Sequence, residues 1–147
     1  MSPRIRTALL LGLVLGLGTG CARLALAPFS ETAYHYAITL KVEALALIEQ
    51  ADTPYDSLAV SALMQRVEEA YEYARGRPNN TESARQWELL KDPNRNLLGG
   101  FVQRWQQQGT LSPVFITEFR GVIADAFDTI SGLESGKLKP KDVQENP

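Results

Sequence analysis

Apolar residues in this chain return every three or four positions over three long stretches, and no segment alternates convincingly every second position. The first stretch runs through Ala33, Ala37, Leu40, Ala44, Leu47 and Ala51, with Tyr34, Ile38, Leu45 and Ile48 widening it. The second uses Val60, Leu63, Val67, Ala70 and Ala74, with Met64 and Tyr71 beside them. The third uses Phe115, Phe119, Val122, Ala126 and Ile130, flanked by Ile116, Ile123, Phe127 and Leu133. A period near 3.6 gathers such residues on one side of a helix, whereas a half-buried strand needs a period of two. The pattern predicts an all-α fold, a small helical bundle with Leu40, Leu63, Val67, Phe119 and Phe127 in its core.

Punctuation residues set the expected boundaries. Ser30 reads as an N-cap with Glu31 in the first turn. Pro54 is placed to open the second long helix, and Arg75-Gly76-Arg77-Pro78 to end it with a C-cap glycine and a proline stop. Two short helices follow, over about 82–91 and 97–108, separated by the turn Asp92-Pro93-Asn94. They are expected to lie across one end or side of the three long helices. Gly109 stops the second short helix, Ser112-Pro113 starts the last long one, and Gly136 closes it. The bundle domain is thus expected over 30–136, and the polar residues 137–147 as a frayed tail.

Cys21 is the only cysteine, so no disulfide forms within the chain and the fold rests on packing. The residues before it have a different character. Arg4 and Arg6 give a positive start, residues 7–19 carry no charge, and small residues lead into Cys21. That is the layout of an export signal, expected over 1–20, and its 13-residue apolar run is short of the ~20 that span a bilayer. Leu17-Gly18-Thr19-Gly20-Cys21 resembles the lipobox of bacterial lipoproteins, with Gly18 where the family usually has an aliphatic residue. The resemblance implies a diacylglyceryl group on the Cys21 thiol, cleavage before it, and acylation of the new amine. Residues 21–29 would then be the lipidated cysteine and a short tether. Ala22, rather than an aspartate, follows the cysteine; by the sorting rule of enteric lipoproteins that implies the periplasmic leaflet of the outer membrane.

Removing 20 residues from 147 leaves 127, with 13 basic residues against 17 acidic and a formal charge of −4. A mixed, mildly acidic surface lacks the basic stripe that nucleic acid requires. It also offers no polybasic patch for anionic lipid head groups, so membrane attachment is assigned to the acyl chains on Cys21.

Catalytic and metal chemistry find few materials. The only histidine, His35, sits one helical turn after Glu31 and reads as part of a solvated helix end. There is no Gly-x-Ser-x-Gly, no Ser-x-x-Lys, no repeated Glu-x-x-His and no Cys-x-x-Cys-His. The carboxylates Glu68, Glu69 and Glu72, and the pair Asp125 and Asp128, read as solvated helix faces. No catalytic residue, metal site or cofactor is predicted; His35 with Met64 is the sole pair considered for a b-type haem.

The least ordinary stretch is 85–105, RQWELLKDPNRNLLGGFVQRW. Two tryptophans bracket a proline turn and a glycine pair, with Arg85, Arg95 and Arg104 interspersed. Trp and Arg concentrate at binding hot spots, and adjacent glycines allow close approach. Trp87, Arg95, Gly99, Gly100 and Trp105 are therefore the candidate partner-binding residues. The other reading weighs more: the tryptophans anchor the short helices onto the bundle and the glycines relieve a crowded crossing. This segment with the lipobox is similar to small helical lipoproteins of Gram-negative bacteria that carry no assigned activity. The expected function is a non-catalytic interaction or scaffolding module of the cell envelope, with an envelope protein as partner; a small-ligand carrier for lipid or haem is the alternative.

Overall fold

Ser30 sets the first helix by accepting the Ala33 amide on its hydroxyl at 3.2 Å, and α1 follows over Glu31–Ile48. A computed structural model describes residues 27–143; Cys21 and the expected export segment lie outside the described residues. Further along, α2 covers Ser57–Gly76, α3 Thr81–Lys91, α4 Leu98–Gln108 and α5 Pro113–Glu134, and a 3₁₀ turn covers Pro140–Asp142. The fold is all-α, a helical bundle with no strand among the described residues.

Four of the helices form a closed ring in which α1 packs on α2 and α5, and α3 packs on the same two from the opposite side. Every neighbouring pair is antiparallel. Glu43 pairs with Arg66 between α1 and α2, and Lys41 with Asp128 at 2.5 Å between α1 and α5. Lys91 reaches Glu68 at 2.7 Å between α3 and α2, while Glu49 meets Arg120 at 2.8 Å farther along α1 and α5. Inside the ring lie Ala37, Leu40 and Ala44 of α1, Val60, Leu63, Val67 and Ala70 of α2, Trp87 and Leu90 of α3, and Ile123, Phe127 and Ile130 of α5. The alanines of α1 bring its backbone close to both neighbours.

The short helices therefore do not share one role. Expected as a pair lying across the long helices, they divide: α3 is a full wall of the ring, and α4 alone crosses one end. The loops before α2 and after α4 join it there, with Leu111 N donating to Ala51 O at 2.8 Å and Tyr55 N to Gly109 O at 3.0 Å. At the opposite end the chain enters α1, leaves α2, enters α3 and leaves α5. It is called the tether end below, and the other the far end.

Several boundaries differ from the sequence expectation for local reasons. Pro54 does not open α2; Asp56 does, its carboxylate accepting the amides of Leu58 and Ala59 at 3.0 Å each. Gly76 is the last helical residue of α2, and the left-handed turn falls on Asn79, at φ 58°. Gly109 and Gly136 do take left-handed conformations, φ 78° and 72°. In α5 the inward line is Ile116, Ile123, Phe127 and Ile130, so Val122, about 100° round from Ile123, is exposed and Phe119 only half-buried. The beginning of the supposed tail is ordered: Leu138 N donates to Gly132 O at 2.9 Å, and the Leu138 side chain covers the face of Gly132.

Candidate functional site

The segment 85–105 builds the far end, and the structure separates its five candidate residues. Trp87 and Trp105 are each 1% exposed. Trp87 meets the Phe127 ring edge-on at 5.9 Å, inside the ring of helices. Trp105 meets Tyr55 edge-on at 5.3 Å and donates its indole N–H to Thr53 O at 3.1 Å, fixing α4 to the loop before α2. Neither indole offers a surface to a partner; both anchor helices. Gly99 and Gly100 serve the same packing. A Cβ on Gly99 would stand 2.6 Å from the Asp92 carbonyl carbon, and one on Gly100 3.1 Å from that of Arg95, so α4 begins directly beneath the turn that ends α3. Only Arg95 is exposed, beside Asp92 at 3.8 Å, with Pro93, Asn94 and Asn96 equally open around it.

The tether end holds a polar cluster that the sequence reading did not single out. Glu134, in the last turn of α5, has a side chain 0% exposed. One carboxylate oxygen accepts from Asn80 Nδ2 at 3.0 Å and from the Ser83 hydroxyl, and the other accepts from the Arg77 guanidinium. Asn80 Nδ2 also reaches Ala74 O at 3.2 Å, closing the end of α2. Arg77 spends its second arm on the Pro28 carbonyl. Four separate pieces of chain thus converge on one carboxylate: the approach to α1, the end of α2, the start of α3 and the end of α5. A signal for it exists in the sequence. Phe127, Ile130 and Glu134 follow steps of three and four, which places a carboxylate in core register.

Beside this cluster the Tyr73 hydroxyl lies 3.0 Å from Ser30 Oγ, and hydrogen bonding to Ser30 and then Thr32 lowers its pKa from the ordinary tyrosine value. On α2, the hydrogen bond to Glu43 raises the Arg66 pKa.

The remaining titratable residues are dispersed. His35 is exposed on α1, its Nε2 3.4 Å from Thr39 Oγ1 and not engaged with Glu31. Met64 is half-buried in a shallow depression with Glu68, Glu88 and Lys91 between α2 and α3, so the structure does not bring it to His35. Glu72 pairs with Arg75 at 2.6 Å on its own helix. Among the described residues no three His, Cys, Asp or Glu side chains are grouped to hold a metal ion. No described helix is long and apolar enough to cross a membrane.

No family model, curated protein or solved structure matches this chain.

Proposed function

We propose that the chain is a non-catalytic interaction or scaffolding module of the bacterial cell envelope, attached through acyl chains on Cys21 and facing the periplasm from the outer membrane. The grip of Arg77 on the Pro28 carbonyl supports this reading more than any other observation. A flexible leash would leave the bundle free to tumble, whereas this contact pins the entering chain to one end of the fold. Six residue steps separate Cys21 from Ala27, a reach of at most ~20–22 Å. An anchor at Cys21 accordingly keeps the tether end beside the membrane. The 22 residues of α5 set the far end roughly 33 Å away at 1.5 Å per residue. That end displays Arg95 with Asn94 and Asn96, the exposed remainder of the segment first singled out.

Two measurements in intact cells test this together. Metabolic palmitate labelling should mark the protein, and Cys21→Ser should abolish the label. A photo-crosslinker at Asn94 or Asn96 should give one discrete protein adduct in the envelope that disappears in Cys21→Ser. Release of the wild type as a soluble, unlabelled protein sinks the anchor, and an envelope-bound protein with no far-end adduct sinks the interaction surface.

A further inference from the structure

Lysines are concentrated where the tether meets the bundle. Lys137, Lys139 and Lys141 are exposed on the segment that Leu138 folds back against α5. Ala27 lines the same small cavity as Gly136, Leu138 and Pro140, so this segment runs beside the entering chain. Phe29, at the same place, is 65% exposed, with its ring 6.3 Å from that of Tyr34. From residue 21 onward the chain has 13 basic and 17 acidic residues; setting aside the five basic and five acidic residues at this end leaves eight against 12. The rest of the molecule is therefore net acidic, whereas this end is formally neutral with its three lysines exposed.

Other charges at the tether end leave the lysines available. Arg77 is committed to Glu134, Arg75 to Glu72, and Glu82 accepts from Gln86 at 2.8 Å. Asp142 turns its carboxylate onto the Lys139 backbone amide at 2.9 Å. Glu31 is exposed in the first turn of α1 and opposes them.

We propose that Phe29, Lys137, Lys139 and Lys141 form a contact surface for anionic lipid head groups, which orients the bundle with its tether end on the membrane. Identifying that membrane as the protein's own rests on the Cys21 anchor proposed above; the charge argument stands without it. An anionic surface attracts the lysine-bearing end and repels the acidic remainder, so field and tether select the same orientation. The exposed ring of Phe29 suits the interfacial region, where an apolar body is partly withdrawn from water. Sequence alone gave no basic patch because three lysines among 147 residues mean little until the fold places them beside the tether.

The test uses the chain from residue 21 to its end carrying Cys21→Ser, so no acyl group contributes. Cosedimentation compares vesicles of phosphatidylcholine alone with vesicles containing phosphatidylglycerol. Binding to the anionic vesicles should exceed binding to the neutral ones and weaken as salt is raised. Each lysine near the surface is worth roughly fivefold in partitioning, so replacing all three by Gln should lower it by about a hundredfold. Arg95→Gln, at the far end, should leave it unchanged. Circular dichroism checks that the variants, all at exposed positions, keep their helix content. Equal binding to both vesicle types, full retention by the triple variant, or an equal loss with Arg95→Gln overturns the proposal. Palmitate labelling of the wild type separates the two ideas: a labelled protein whose Cys21→Ser form ignores anionic vesicles keeps the anchor and loses this surface. An unlabelled protein that prefers anionic vesicles does the reverse.

Discussion

The guanidinium of Arg77, at the end of α2, closes on the carboxylate of Glu134, at the end of α5, across 57 residues of sequence. Side-chain exposures of 12% and 0% make this a buried pair. Such a pair adds little net stability over an apolar replacement, yet removing one partner strands a buried charge and costs ~3–5 kcal/mol. Glu134→Gln and Arg77→Gln should each lower the unfolding free energy measured in urea by an amount in that range. Arg77→Gln should also free the Pro28 carbonyl and make the peptide bonds around it more susceptible to protease under native conditions. The surface pair of Arg75 with Glu72 provides the comparison, since both its side chains stay in water and breaking it strands no buried charge.

Glycines give a second prediction with opposite signs at two sites. Gly99→Ala would drive its methyl against the backbone of residues 91 and 92, which no side-chain motion relieves. It should destabilise by at least ~1–3 kcal/mol, the usual cost of overpacking. Gly121→Ala lies in the middle of α5 with open space around the new methyl, and helix propensity should make it stabilising by up to ~1 kcal/mol. Denaturant midpoints of the two variants, measured side by side, check both signs.

Capping gives a third. Asp56→Ala leaves the amides of Leu58 and Ala59 without their acceptor and should cost ~1 kcal/mol, whereas Pro54→Ala touches neither helix end. A midpoint lowered by Pro54→Ala and untouched by Asp56→Ala would mean that α2 begins earlier than Ser57.

Much of this fold was legible because its apolar spacing is regular: α1, α2 and α5 were placed by period, and Ser30 and Ser112 by their capping chemistry. Four of the five residues expected in the core, Leu40, Leu63, Val67 and Phe127, are buried. What stayed hidden depends on which helix faces which. The stripe of α5 was centred on Val122 because aromatic and aliphatic residues flank it on both sides, and only the position of α3 decides which flank turns inward. The short helices look alike in length, yet one is a wall and the other a lid. Their difference lies in Gly99 and Gly100, which let α4 fold sharply under the end of α3. Trp and Arg serve packing and recognition alike, and only burial separates the two uses. Arg77, Asn80, Ser83 and Glu134 were passed over because their meeting is set by tertiary structure, although Glu134 sits in core register.

Burial of the tryptophans gives the last prediction, one that separates packing from recognition. Trp87→Ala and Trp105→Ala each remove a fully enclosed indole and should cost ~3–5 kcal/mol, a large share of the stability of a domain this size. Trp105→Phe retains most of the apolar volume but leaves Thr53 O without its indole donor, so it should cost less, about 1–3 kcal/mol. Phe127→Ala, inside the ring, should exceed Phe119→Ala, whose half-buried ring rests on Phe115 at 4.2 Å near the surface. Arg95→Ala should leave the melting midpoint almost unchanged, because its side chain is exposed and its pairing with Asp92 is long. Thermal melts of the six variants should therefore rank them by burial. A Trp87→Ala protein that melts with the wild type while losing an envelope partner would mean that the indole faces a partner and not Phe127.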